Sequence, residues 1–169
     1  RRKLPAELRP ALEPEERVVA WARAGEDGTV VATNRGLFLP GRDGRLGWHE
    51  IHKAVWGGRQ LTVIPAEVTE RREGYLVAAD GPPTTVTLLE PGDVPQAVRA
   101  RVTRSVAVTS HHPVPGGGVR VVGRRVPGRD GLTWFVRYDE GTDPRGPGVP
   151  EATAALVARH VAAVDDPSR

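Results

Sequence analysis

The chain reads as an α+β protein, mainly β: an antiparallel barrel or sandwich capped by a helix, with a C-terminal strand–strand–helix extension. Three observations predict it. Short runs of alternating apolar and polar residues recur at intervals of about ten residues through residue 90, punctuated by glycine turns. A capped helical pattern follows at 94–104. Beyond it, further strand patterns and a last helical stripe complete the 169 residues.

The elements can be justified in order. Residues 1–13 form an N-terminal arm, a short proline-interrupted helix or an extended segment. Residues 17–24 alternate Val19, Trp21 and Arg23 against Val18, Ala20 and Ala22, as a half-buried strand does. Glu26-Asp27-Gly28 is a hairpin turn of the Asp-Gly type. The second strand runs from 28 to about Leu39, with Asn34-Arg35-Gly36 bending or bulging it. Asn34 is the only asparagine in the chain, and it reads as a backbone kink sooner than a ligand contact. Gly41 to Gly44 turns the chain into a third strand at 45–56. A fourth follows at 60–66, a fifth at 75–79 and a sixth at 84–89. Consecutive hairpins predict a meander, since sequential strands usually pair.

The pattern changes at Glu90. Asp93 and Gln96 stand three apart as in a capping box, and Pro95 suits a first helical turn. Val94, Ala97, Val98, Arg101, Val102 and Ser105 share one helical face. Residues 106–110 continue as a strand, and 119–126 with 132–138 predict a hairpin around Pro127 to Gly131. Between them, Gly116-Gly117-Gly118 reads as a flexible linker. Residues 150–164 predict a helix with Ala155, Leu156, Ala163 and Val164 in its apolar stripe, after which 165–169 fray.

Pro14-Glu-Glu-Arg-Val-Val19, the Gly28 strand with Thr33-Asn34-Arg35-Gly36-Leu37, and Trp48-His49-Glu50-Ile51 together resemble the start of bacterial PH-like (GRAM-like) domains. The resemblance covers about residues 12–106. It implies a small bent β-barrel closed by a C-terminal helix, so that 14–106 is the barrel with its capping helix and 107–169 an extension. Barrels of this kind host lipid, peptide and protein binding alike, and the resemblance implies no single activity.

Composition narrows the function. Apolar residues make up 38% and aromatics 5%, so Trp21, Trp48, Trp56 and Trp134 are expected as large core fillers. The absence of cysteine excludes disulfides, cysteine-ligated zinc, thioredoxin-type exchange and cysteine nucleophiles. No apolar run is long enough to span a bilayer. No signal-peptide core follows Arg1-Arg2-Lys3, so the expectation is a cytoplasmic protein.

Charge is uneven. Residues 1–90 hold 13 basic and 13 acidic side chains, whereas 94–129 hold no acid and seven arginines. Arg99, Arg101, Arg104, Arg120, Arg124 and Arg125 are therefore the candidate residues for a polyanion, a nucleic acid or an anionic lipid headgroup. Arginine outnumbers lysine 22 to 2, which looks like the coding bias of a high-GC genome and weakens that reading.

Ser110-His111-His112-Pro113 is the most enzyme-like run. Neighbouring histidines on a strand face opposite sides and chelate poorly, and the triple glycine lacks the Lys-Ser/Thr of a phosphate loop. His49 and His52 have no partners at ligand spacing. Glu50 is a base only within a formed cleft, and Asp139-Glu140 with Asp143 lacks the calcium-loop pattern. The expectation is a non-enzymatic binding or adaptor protein with no cofactor or metal. Its first-choice partner is a protein, or a second copy, met at an exposed sheet edge.

Overall fold

The computed structural model describes residues 3–26 and 28–166. They are mainly β. Eleven strands are described: β1 (Val18–Ala24), β2 (Gly28–Thr33), β3 (Gly36–Phe38), β4 (Leu46–Gly47), β5 (Ile51–Gly57), β6 (Gln60–Arg72), β7 (Tyr75–Asp80), β8 (Thr84–Thr87), β9 (Val106–Val114), β10 (Gly117–Arg125) and β11 (Leu132–Tyr138). Two α-helices accompany them, α1 (Val94–Ser105) and α2 (Val149–Asp165). The arm contains one 3₁₀ turn, Ala6–Leu8.

The chain divides into two compact units. The first holds the described residues up to Glu67, with Asp80–Ser105 and Arg125–Asp130; the second holds Val68–Ala79, Val106–Arg124 and the residues from Gly131 onward. Ser105/Val106, next to the boundary expected at residue 107, is one crossing, and the division also passes through β6 and β7.

In the first unit, β1 to β4 form one sheet in sequence order. The first part of β6 lies between β5 and β8, with Ala54 opposite Val63 and Val63 opposite Thr84. Both sets of strands and α1 surround one core of Val30, Leu37, Ile51, Leu61, Val63, Leu88, Val94 and Val98, all fully buried. Helix α1 presents Val94, Pro95, Val98, Val102 and Ser105 to it. In the second unit, β7, β11, β10 and β9 are neighbours in that order. Trp134, Val119, Val121 and Val136 of that sheet pack with Val149 and Val157 of α2.

Several expected elements differ. The second strand does not run to Leu39: the chain reverses at Asn34-Arg35, and β2 pairs antiparallel with β3, Val31 opposite Phe38. Local hydrogen bonds shape the reversal, and contacts to Glu15, Glu16 and Arg17 hold it. The Thr33 hydroxyl accepts the backbone N–H groups of Arg35 and Gly36 at 3.0 and 3.1 Å, an arrangement in which a side chain substitutes for strand pairing. Gly36 is required there because a Cβ would collide with the Leu46 carbonyl oxygen.

The third strand is interrupted by a 3₁₀ turn at Trp48–Glu50. A bulge follows between Ile51 and Lys53. It adds one residue to the alternation, so Ile51, Ala54 and Trp56 all serve the same core. The fourth strand extends to Arg72.

The strand pairing departs from a meander and runs partly parallel. β8 pairs with β6 rather than β7, and β11 runs parallel to β7, Phe135 opposite Leu76. The glycines expected as a linker instead close a β-hairpin, with Gly117 opposite Val114 and Gly118 opposite Pro113. Added Cβ atoms would strike the Thr142 hydroxyl and the Asp139 carboxylate, so absence of a side chain, not flexibility, selects them. The α2 stripe agrees only in part: Leu156 packs against the core, but the buried positions are Val149, Thr153 and Val157, and Val164 is 48% exposed. The Glu26-Asp27-Gly28 turn and the fraying end fall partly outside the described residues, though Ala24 does stand opposite Gly28.

Candidate functional site: a groove between an edge strand and a helix

Strand β5 stands last in the order of its sheet. Helix α1 packs against it. Between Trp56 near the end of β5 and the outward flank of α1 lies an open groove of ≈ 680 Å³, lined among others by Pro91, Pro95, Gln96, Arg99, Ala100 and Thr103. The local sequence explains this shape. The buried stripe of α1 turns Gln96, Arg99, Ala100 and Thr103 outward, and Ala100 is small enough to leave space beside the indole. Trp56 is only partly buried and packs its inner face on the core. The adjacent Val55, on the other face of the strand, is 44% exposed.

Chemically, the groove offers an aromatic and proline surface, one amide, one hydroxyl and one guanidinium. It contains no nucleophile with a base beside it. Its features suit an extended segment carrying an apolar side chain and a carboxylate, since arginine's planar fork accepts a carboxylate in two-point contact.

A second cleft, ≈ 590 Å³, lies under the N-terminal arm and is bordered by Lys3, Arg9, Arg17 and Trp21. Much of it is the arm's own seat: Leu4 is 4% exposed and packs with Trp21 and Val31. It also borders β1, itself the first strand in the order of its sheet, but there the arm already packs on Trp21 and Val31.

The six arginines singled out by charge do not share one environment. Arg99 and Arg104 are exposed on α1, and Arg99 lines the groove. Arg101 is half-buried and donates to the Asn34 carbonyl oxygen at 3.5 Å; burial, then Arg104 and Arg17, lowers its pKa. Arg125 donates to the Arg104 carbonyl oxygen at 2.7 Å, covering a group that a helix end leaves without a helical partner. Arg120 lies exposed on β10 and donates to the Thr109 hydroxyl at 3.2 Å. Arg124 is only 5% exposed, beside the bulge at Gly123, and burial lowers its pKa. It is a buried side chain, not part of a surface patch.

The histidines separate as strand alternation requires. His111 meets the Asp139 carboxylate at 2.8 Å, with both side chains nearly half exposed. His112 faces the other way and meets His160 of α2, their Nε2 atoms 3.0 Å apart. Sequence reasoning missed His160, which no local motif marks. Glu50 accepts the Gly47 N–H at 2.9 Å and serves the 3₁₀ turn. His52 pairs with Asp80 at 2.8 Å. Asp143 accepts the Arg145 N–H at 2.9 Å, inside its own loop. Among the described residues no three His, Cys, Asp or Glu side chains converge on a metal position, and no helix is long and apolar enough to cross a membrane.

Comparison with protein-family models, with curated proteins and with solved structures gave no match.

Proposed function

We propose that the chain is a binding module, built on a PH-like first unit, that takes a segment of a partner protein as an added strand along β5. The observation that carries this reading is the meeting of a sheet-terminal strand with the groove formed by Trp56 and α1. Strand addition supplies affinity through backbone hydrogen bonds, and pockets beside the strand supply selectivity. Arg99 favours an acidic residue in the segment, and Trp56 with Pro95 and Ala100 favours an apolar one. Two sets of strands and one helix around a single core agree with the fold that the PH-like resemblance implies. The reading assigns no catalytic step.

Panning a random peptide library on the purified chain tests this. Extended, acidic–apolar peptides are expected, with binding weakened by Arg99→Glu and blocked by Ala100→Trp. Both substitutions sit on the exposed face of α1 and spare the core. No enriched peptide, or undiminished binding by Ala100→Trp, overturns the proposal. Binding confined to DNA, RNA or anionic liposomes, with affinity falling steeply with salt, assigns the chain to the polyanion class instead.

A further inference from the structure

Two imidazoles from different elements of the second unit point their outer nitrogens at one place. His112 comes from β9 and His160 from α2; their Nε2 atoms are 3.0 Å apart, their ring planes inclined by 57°. The Ser110 hydroxyl oxygen also reaches the His112 Nε2, at 2.9 Å. Trp134 lies beside the pair, its ring centroid 6.2 Å from that of His160. Two imidazole nitrogens thus meet next to an aromatic ring, with the Ser110 hydroxyl beside one of them and both histidines partly open to solvent.

We infer that His112 and His160 form a binding site for a late divalent transition-metal ion of the zinc, copper or nickel type, with the Ser110 hydroxyl as a weak third donor and water completing the shell. Imidazole nitrogens sit about 2.0–2.1 Å from such ions, which places two of them about 2.9–3.4 Å apart at right-angled to tetrahedral geometry. The observed separation falls within that span. Imidazole suits these ions, whereas magnesium and calcium prefer oxygen.

The protonation chemistry is compatible. In the metal-free pair one Nε2–H donates to the other Nε2. A change of that ring to the Nδ1–H tautomer frees both Nε2 lone pairs, and two neutral imidazoles then bind the ion without net proton release.

Such an ion would fasten α2 to β9, because each ligand belongs to one of them. His111 is excluded by strand geometry: it faces the opposite side and is held by Asp139. This separates the site from any adventitious binding to a His-His dipeptide, which would use both neighbours.

The test uses the chain without a polyhistidine tag, cleared of metal by chelator. Calorimetric titrations with ZnCl₂, CuCl₂, NiCl₂ and MgCl₂ are compared for the parent and for His111→Gln, His112→Gln and His160→Gln, each checked by thermal unfolding in chelator. Saturable one-to-one binding of at least one of the first three ions is expected, with none of magnesium. Binding should be lost in His112→Gln and His160→Gln and kept in His111→Gln, with a metal-dependent rise in the parent's Tm.

A parent that binds none of these ions overturns the inference. So does binding that survives His160→Gln, or that His111→Gln abolishes as fully as His112→Gln. Should a variant fail to fold, nickel or copper broadening of the parent's imidazole NMR signals decides. Broadening first at His112 and His160 supports the site, and broadening first at His49, His52 or His111 refutes it.

Discussion

Thr33 has a side chain of three heavy atoms and no exposure, yet its hydroxyl donates to the Glu16 carboxylate at 2.6 Å and accepts two backbone N–H groups. Glu16 in turn accepts from Arg45 at 2.8 Å, and Trp48 donates to the Thr33 carbonyl oxygen at 3.0 Å. Asn34 completes the set by accepting the Arg17 N–H at 2.7 Å. The Thr-Asn-Arg-Gly segment is thus a hydrogen-bonded corner tying β1 to the β2–β3 reversal. Thr33→Val keeps the shape and removes the hydroxyl, leaving buried N–H groups unsatisfied. It is expected to cost about 1–3 kcal/mol in a urea titration, and an unchanged midpoint would contradict this account.

Glu13 adds a pH dependence to the same corner. The hydrogen bond and charge of Arg45, helped by Arg35, lower its carboxyl pKa from the ordinary 4.5. A carboxylate depressed in the folded state stabilises above its unfolded value and loses that contribution as pH falls through the folded one. Glu13→Gln should therefore be less stable than the parent at neutral pH, with the gap closing well below pH 4.5. A gap that persists in acid would mean that packing, not charge, is responsible.

At the scale of elements, α2 shows how packing overrides a stripe read from sequence. Leu156 of the expected stripe packs at the margin of the core, but Val164 is exposed, and the sheet beneath selects Val149, Thr153 and Val157 as the buried face. Thr153 is tolerated there because its hydroxyl bonds the Val149 carbonyl oxygen at 2.8 Å and the Tyr138 hydroxyl at 2.6 Å. Val157→Ala is expected to cost about 1.5–3 kcal/mol, whereas Val164→Ala should stay within about 0.5 kcal/mol of the parent. Equal effects in thermal unfolding would move the helix onto the other face. The β9–β10 turn makes a parallel case. Gly117→Ala must displace Thr142 and is expected to destabilise by about 1–3 kcal/mol, where a flexible linker would accept it without loss.

At the scale of the molecule, the charge window resolves into arginines of different kinds. Arg99→Ala and Arg120→Ala remove exposed side chains and should leave stability within about 0.5 kcal/mol. Arg124→Ala removes a buried side chain with its packed stem and should lower Tm clearly. Any test of polyanion binding should then use Arg99, Arg104 and Arg120, because a loss on removing Arg124 would report unfolding instead. A salt slope on duplex DNA that falls by about 0.9 for each of these removed would show phosphate contact; an unchanged slope would mark them as solvated.

Much of the element inventory was legible because it rests on local physics. The strands Val18–Ala24 and Leu132–Tyr138 and the helix Val94–Ser105 lie close to where the residues alone predict them. Trp21, Trp48 and Trp134 are buried, as large apolar side chains in a weakly aromatic chain should be. What the sequence could not settle depends on residues far apart in the chain. The reversal at Asn34 is secured by Glu15, Glu16 and Arg17, the glycines of β10 by Thr142 and Asp139, and the parallel pairing of β11 with β7 by residues some sixty positions away. Of the groove, only Arg99 was marked in advance, by charge. Its neighbours Trp56 and Ala100 became a site only when α1 packed beside β5, because a pocket is made by juxtaposition and no local pattern encodes it.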